Sequence, residues 1–187
     1  MLPLSTRRLL LRQFSPSDAD DLFEYLSLIS TYVYEPGAPI DIEQARRLAA
    51  ERSQATKFLA VELKSEHKLI GHVSVEPLEP KDFKTYDLGY IFNPRYHHQG
   101  YATEAVRGAI SFCFTDLGAH RIIANCNPEN AASWRLLERC GLLREGVFRK
   151  NVYFWKDERD QPIWTDTYQY AVLSTDSRPG NDAPQRS

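Results

Sequence analysis

The strongest constraint on how this chain can fold is a long amphipathic pattern with an apolar segment on either side. From Ala102 to Leu117, apolar residues recur at spacings of three and four, which predicts a helix with one buried face. Gly118 follows, and glycine often ends a helix in the left-handed conformation. Thr85–Phe92 and residues 120–126 are predicted to be strands. A strand, a helix and a strand within about 40 residues form a βαβ unit, whose crossover is almost always right-handed.

The turn that joins the first of these strands to the helix is the most informative stretch for function. Residues 93–104 pass from the strand through a turn containing Gly100 to the helix N-terminus. That order presents unpaired backbone N–H groups with the positive end of the helix dipole behind them, an arrangement that binds phosphate. The chain holds no G-x-x-x-x-G-K-[ST] sequence, and no G-x-G-x-x-G follows a strand. A P-loop or a Rossmann nucleotide site is therefore disfavoured.

The remaining segments predict a mixed α/β fold. Ser15, followed by Pro16, is predicted to cap a helix whose apolar positions reach Ile29, and Asp41 to cap a second helix that ends near residue 53. Residues 30–40 hold two prolines and a glycine and are predicted to be a loop. Further strands are predicted at residues 7–14, 58–63, 69–75, 142–155 and 163–173, with a helix at 131–140 and a polar hairpin loop at 156–161.

Length, charge and cysteine usage narrow the class of protein. At 187 residues the chain is predicted to form one domain over residues 1–173, with a polar tail, 174–187, predicted to be disordered. A net charge of −2 gives no overall attraction to nucleic acid or to a membrane. No apolar run is long enough to span a bilayer. The three cysteines are widely spaced and the histidines lack metal-ligand spacing, so we expect a cytoplasmic protein with reduced thiols and no metal.

Two motifs in this order carry a resemblance to a known family. In the turn, His97, Gly100 and Ala102 fall on the fixed positions of the pattern Gln/Arg-x-x-Gly-x-Gly/Ala, with histidine at the first of them. Residues 100–104 continue as Gly-Tyr-Ala-Thr-Glu. The later pattern Asn-x-x-Ser-x-x-Leu-Leu-Glu-x-x-Gly is matched by Asn130, Ser133, Leu136, Leu137, Glu138 and Gly141. Together they resemble the GNAT superfamily of acyl-CoA-dependent N-acetyltransferases, and most nearly its branch of ribosomal-protein alanine and serine N-acetyltransferases. The resemblance covers residues 5–173.

The resemblance implies both the fold and the co-substrate. The fold would be a mixed, strongly twisted central sheet flanked by helices, in which the parallel strands Thr85–Phe92 and 120–126 splay apart. The pantetheine arm of acetyl-CoA would lie in the split, and its pyrophosphate would sit on backbone N–H groups of residues 98–103. The residues expected to bind the cofactor are Ile91, Phe92, His97, His98, Gln99, Gly100, Tyr101, Ala102, Thr103, Asn130 and Ser133.

The resemblance also suggests catalytic roles. Acetyl transfer needs a neutral amine and a hydrogen-bond donor for the developing oxyanion. Asp87, in the strand before the turn, is the first choice of base, because many family members carry an acidic residue in that strand; Glu76 is the second. The backbone N–H near Ile91 or Phe92 is expected to face the oxyanion.

This chain departs from the family pattern at two positions. Many members protonate the leaving thiolate with a tyrosine in the second motif, where Leu136 and Leu137 supply no hydroxyl. Ser133 is the expected substitute, and Asn130 is expected either to bond the pantetheine arm or only to cap its helix. In the turn, relatives commonly have glycine where this chain has His98, which restricts the backbone unless φ there is negative.

The leading hypothesis is an N-acetyltransferase that acts on a small amine or on a protein N-terminus, as a monomer or a homodimer, with no nucleic-acid or membrane partner. The acceptor would be bound by loops at residues 30–40, 77–86 and 150–161. The alternative from another class is a non-catalytic acyl-CoA sensor on the same fold, and Asp87 and Ser133 are the residues that would separate the two. A nucleotide-binding protein is a third and weaker alternative.

Overall fold

An eight-stranded mixed sheet with four α helices makes up the fold in a computed structural model that describes residues 3–176. The strands are β1 Leu4–Ser5, β2 Leu9–Arg12, β3 Phe58–Leu63, β4 Lys68–Pro77, β5 Thr85–Phe92, β6 Arg121–Cys126, β7 Leu143–Val152 and β8 Thr165–Leu173. The helices are α1 Ala19–Leu26, α2 Ile42–Gln54, α3 Tyr101–Thr115 and α4 Ala131–Arg139. The strands lie in the order β1-β2-β3-β4-β5-β6-β8-β7, which confirms the predicted α/β class.

Helices cover both faces of the sheet, because the strands bury alternate side chains on opposite sides. Helices α3 and α4 pack on one face, where Leu11, Val73 and Leu88 belong to the larger core cluster. On the other face α1 and α2 pack against β3 and β4, with Tyr25 fully buried. No helix within residues 3–176 has the length and apolar character needed to cross a membrane.

The first helix is shorter than predicted. Ser15 does cap its start, through a 3-10 turn, but α1 ends at Leu26 and Ile29 is 76% exposed beyond it. The hydroxyls of Thr31 and Tyr32 donate to the carbonyls of Tyr25 and Leu26 at 2.5 and 3.0 Å. These bonds satisfy the carbonyls at the helix end and turn the chain into the loop that was predicted at residues 30–40.

The strands near both ends of the chain also differ from the predictions. The strand predicted at 7–14 contracts to β2, and the two-residue strand β1 was not predicted. Strand β7 ends earlier than predicted, at Val152, and β8 begins later than predicted, at Thr165, because residues 153–164 leave the sheet. There the Asp157 carboxylate accepts from the N–H groups of Arg159 and Gln161, which closes a turn. Of the tail predicted to be disordered, residues 177–187 lie outside the described residues.

The parallel strands β5 and β6 pair over only three residues. Their register runs from Thr85 opposite Arg121 to Asp87 opposite Ile123 and then stops. Beyond that point β5 continues to pair with β4 up to Phe92, whereas β6 continues to pair with β8 up to Cys126. The two strands therefore diverge and leave an open edge of β5, which confirms the predicted splay.

Close contact between β4 and β5 holds the open strand in place. A Cβ atom added at Gly71 of β4 would lie 2.6 Å from Phe92 Cδ1 and 2.7 Å from the Ile91 carbonyl oxygen. Contacts this short do not occur between real atoms, so only glycine fits at this position while β5 keeps its path. The path of β5 at its end thus depends on the absence of a side chain at Gly71 in the neighbouring strand β4.

We expect Gly71→Ala to destabilise the protein by about 2 kcal/mol, because the added methyl group must displace Phe92 or its strand. The matched control is Gly146→Ala in β7, where an added Cβ meets nothing within 4 Å. Chemical denaturation of both variants measures the free energy of unfolding. Equal stability of the two variants would contradict the steric constraint.

Candidate active site

A cleft of about 600 Å³ opens where β5 and β6 diverge. It is bounded by the loop after α1, the end of β5, the turn before α3 and the first turns of α4. Most residues predicted to bind the cofactor line it: Ile91, Phe92, His97, His98, Gly100, Tyr101, Ala102, Thr103, Asn130 and Ser133. Of that predicted set, only Gln99 is not part of its wall.

The turn before α3 has the backbone geometry of an anion site. Gly100 lies immediately before the helix with φ +79°, a left-handed conformation. The first helical backbone bond is donated by Glu104 to the Gly100 carbonyl, at 3.1 Å. The N–H groups of Tyr101, Ala102 and Thr103 therefore have no acceptor within the helix and are available to a ligand in the cleft.

His98 also lies in the left-handed region, with φ +59°. This is the position where glycine is common in the family, so the histidine takes up a backbone conformation that favours glycine. His97 stabilises the same turn, since its Nε2 donates to the Phe92 carbonyl oxygen at 3.1 Å. The turn is thus tied back to the strand that precedes it.

The N-terminal strand region holds the start of α3 in place. The Glu104 carboxylate accepts from the Thr6 hydroxyl at 2.6 Å and from the Arg8 backbone N–H and Nε at 2.7 Å each. Arg8 also donates to the Gln99 carbonyl oxygen at 2.9 Å and lies over the Tyr101 ring. Burial opposes ionisation of Glu104, but the bonds from Thr6 and Arg8 outweigh it and keep its pKa below the usual value.

Strand geometry decides which backbone N–H faces the cleft. Asn93 N–H donates to Ile70 of β4, and the Thr85 carbonyl accepts from Leu78, so odd-numbered residues of β5 bond towards β4. Alternation along the strand directs the N–H of Phe92 away from β4, and that of Ile91 towards it. Of the two oxyanion donors predicted, Phe92 is the one whose N–H faces the split.

Ser133 forms a hydroxyl pair that the sequence did not reveal. Its Oγ lies 2.8 Å from the Tyr90 phenol oxygen, and that phenol also lies 3.2 Å from the Ser133 carbonyl oxygen. Burial raises the pKa of Tyr90 well above its ordinary value, and the Ser133 bond opposes that rise. The Asn130 side chain accepts from the Ser133 N–H at 3.1 Å, so it caps α4. In the sequence, the only signal for Tyr90 is its place in the strand that carries Asp87.

The two carboxylates predicted as bases do not line the cleft. Asp87 lies at the last paired position of β5 and β6, and its buried Oδ1 lacks a hydrogen-bond partner within the described residues. Burial, and then the nearby Glu76, raises the pKa of Asp87. Glu76 itself is exposed and forms a 3.2 Å ion pair with Lys57. Neither residue is brought to the open edge of β5.

The charges around the cleft suit an anionic ligand. Arg135 and Arg139 on α4 line it, together with the free N–H groups of the turn. The residues present therefore fit a ligand that carries phosphates at one end and a narrow arm at the other. Within residues 3–176 no group of three or more metal-ligating side chains is arranged to hold a metal ion.

Comparison with known proteins places these features in a family context. The family model for the acetyltransferase (GNAT) domain matches residues 8–143. The uncharacterized N-acetyltransferase YnaD of Bacillus subtilis (strain 168) is 34% identical over 172 residues, which are 91% of this chain and 96% of YnaD. The crystal structure of a GNAT-family acetyltransferase from Bacillus anthracis is similar with a TM-score of 0.83 at 34% identity, over 92% of this chain and 98% of that one.

A more distant relative has a described acceptor. The [ribosomal protein uS5]-alanine N-acetyltransferase of Escherichia coli (strain K12) is 30% identical over 115 residues, which are 62% of this chain and 56% of that protein.

We expect Glu104→Gln to lower the free energy of unfolding by about 2 kcal/mol at pH 7, because it removes a charge-assisted acceptor of three hydrogen bonds. The folded pKa of Glu104 is lowered, so its contribution is present above the unfolded value of about 4.3 and is lost as pH falls through the folded value. The difference from wild type should therefore narrow in acid. Glu51→Gln on the exposed face of α2 serves as the control. A difference that is independent of pH would contradict this role of the charge.

Proposed function

This chain belongs to the acetyltransferase (GNAT) family and is an acetyl-CoA-dependent N-acetyltransferase, and on that premise we propose that it acetylates a primary amine by direct attack within a ternary complex. The observation that carries the proposal is the hydroxyl pair Tyr90–Ser133 at the same cleft as the phosphate-binding turn. A cleft that only bound acyl-CoA would need the turn but not the hydroxyl pair.

Acetyl-CoA supplies an activated acetyl group, as a thioester. We assign its phosphates to the N–H groups of Tyr101, Ala102 and Thr103, with Arg135 and Arg139 as counter-charges. The open edge of β5 offers backbone groups to the amides of the pantetheine arm, as an added strand would meet them. The predicted cofactor site is thereby retained, with the two arginines added.

In the mechanism we propose, residues of the chain act at two atoms of the thioester. The Phe92 N–H donates to the carbonyl oxygen as negative charge develops there, and it needs no rearrangement because β4 holds the strand. The Tyr90 hydroxyl, bonded to Ser133, donates a proton to the departing sulfur. Burial raises the pKa of this phenol, so it is protonated at neutral pH, and its bond with Ser133 opposes that rise and favours release of the proton.

We propose a primary amine as the acceptor. The E. coli relative acts, by its name, on the alanine of a ribosomal protein, which supports a protein N-terminus as one source of that amine. A free small amine is the other source. Both present the same nucleophile to the thioester, so the proposed chemistry is common to the two.

Acetyl-CoA should raise the melting temperature by about 5–10 °C at a concentration 100 times its Kd, because a ligand of the folded state stabilises it by about 2.7 kcal/mol there. ATP and NAD at the same concentration should cause a much smaller shift. Differential scanning fluorimetry makes the comparison. No shift with millimolar acetyl-CoA would contradict the cofactor assignment.

Tyr90→Phe should lower kcat about 100-fold with the acetyl-CoA thermal shift retained, since only proton transfer to sulfur is lost. Ser133→Ala should act in the same direction, and the double variant should lose less than the product of the two effects, because the hydroxyls act as one unit. The control is Tyr86→Phe, a partly buried tyrosine of the same strand that lies outside the cleft. Thiol release from acetyl-CoA measures kcat. A wild-type rate in Tyr90→Phe would remove the phenol from the mechanism.

A further inference from the structure

A second, smaller cavity adjoins the cleft. Its volume is about 280 Å³, and it lies between the ends of β6 and β8, the strand β7 and the loop after α1. Three residues line both cavities: Tyr34, Glu35 and Asn130. A group bound in the smaller cavity can therefore reach the cleft across Glu35.

The two cavities differ in charge. Arg135 and Arg139 line only the cleft, Asp166 lines only the smaller cavity, and Glu35 lies in the wall that the two share. None of the described residues that line the smaller cavity is a lysine, an arginine or a histidine. Carboxamides, among them Asn151 and Gln169, supply further oxygen acceptors. Such a wall attracts an ammonium group and repels an anion.

Glu35 has no competing partner in the structure. Within residues 3–176 its carboxyl group forms neither a hydrogen bond nor an ion pair. Removal from water alone raises its pKa to about 7. An unpaired carboxyl group that titrates near neutrality can exchange a proton with a ligand, which a carboxylate held in an ion pair, such as Glu76, cannot do as readily.

The groups that interact with Glu35 include Tyr90, the proposed proton donor. Burial is the main cause that raises the pKa of Tyr90 on β5, and the pKa of Cys126 on β6 to about 11. The charge of Glu35 is a smaller cause that raises both. Neither group titrates near neutrality. Asp166 faces the same cavity from β8, and Tyr34 faces it from the neighbouring position of the loop. The remaining charged or titratable groups around the adjoining cleft are Tyr96, His97, His98, Tyr101, Arg135 and Arg139.

We infer that the smaller cavity binds the acceptor as a primary ammonium ion and that the Glu35 carboxylate takes up one of its protons. This rests on the acetyltransferase function proposed above. The neutral nitrogen then forms the C–N bond as the C–S bond breaks, and the sulfur keeps the electron pair. The sulfur gains a proton from Tyr90, the nitrogen releases its second proton to solvent, and solvent returns one to the Tyr90 phenolate. Glu35 gives its proton to solvent, so the net release is one proton for each acetyl group transferred. Asp166 is a positioning residue for the ammonium ion.

The test compares the pH dependence of thiol release in the wild-type chain with that in Glu35→Gln. Glu51→Gln, an exposed residue of α2 that lines neither cavity, is the control. The acceptor probes are butylamine, 1,4-diaminobutane, a tetrapeptide with a free N-terminal alanine and, as an anionic amine, glutamic acid. Turnover of the free amines identifies a small-molecule acceptor, and turnover of the peptide identifies a protein N-terminus; each supports the inference.

In the wild type, kcat/KM should fall as pH is lowered through about 7, because a protonated Glu35 cannot accept a proton. Glu35→Gln should lose this dependence and lower kcat about 100-fold, with the acetyl-CoA thermal shift unchanged. Because His97 and His98 are still present in Glu35→Gln, loss of the pH dependence in this variant assigns that dependence to Glu35. Asp166→Asn should raise the KM of cationic acceptors with little change in kcat. Cationic probes should exceed glutamic acid at least about 10-fold in kcat/KM.

Four results would overturn the inference while acetyl-CoA binding stands. The first is that kcat/KM of Glu35→Gln still falls as pH is lowered, and the second is that Asp87→Asn loses this fall instead. The third is a higher kcat/KM for glutamic acid than for the cationic probes. The fourth is a wild-type chain that binds acetyl-CoA but acetylates none of the cationic probes. Failure of the proposed function itself is a different result, namely no thermal shift with acetyl-CoA.

Discussion

The end of pairing between β5 and β6 is the constraint on which the site depends. A strand edge that lacks a partner is costly unless something else satisfies it, and here the edge forms the wall of the cleft. Pairing with β4 keeps β5 rigid beyond Asp87, and the missing side chain at Gly71 lets the two strands approach closely. The result is a backbone that is fixed on one side and open on the other, as a preorganised hydrogen-bond donor requires.

A second constraint acts over a long distance in the chain. Glu104, at the start of α3, is held by Thr6 and Arg8 from the beginning of the chain, and Arg8 also reaches the carbonyl of Gln99. The turn to which we assign the phosphates is therefore anchored by the strand before it, through His97, and by the beginning of the chain, through Arg8. These contacts hold a turn in which two residues, His98 and Gly100, have the left-handed backbone conformation.

The distribution of charge is consistent with the two proposed substrates. The arginines of α4 line the cleft to which we assign the phosphates, and Glu35 and Asp166 line the cavity in which we propose that the ammonium ion binds. The phenol of Tyr90 and the carboxyl of Glu35 are both shifted by burial, in a direction that keeps the phenol protonated and allows the carboxyl group to titrate near neutrality. One group is thereby suited to give a proton and the other to take one.

Local patterns in the sequence determined the βαβ unit, the caps at Ser15, Asp41 and Asn130, and the glycine turn before α3, because helical periodicity and turn chemistry depend on near neighbours. The resemblance to the family predicted in addition that the parallel strands β5 and β6 diverge. The positions of Glu35, Tyr90 and Ser133 around one space were decided by the tertiary structure alone, since a loop, a strand and a helix distant in sequence meet there. Asp87 illustrates the same point in reverse. Its residue type and its strand suggested a base, and that role stays a prediction. The register of β5 against β6 puts Asp87 where the strands are still paired, and it does not line the cleft.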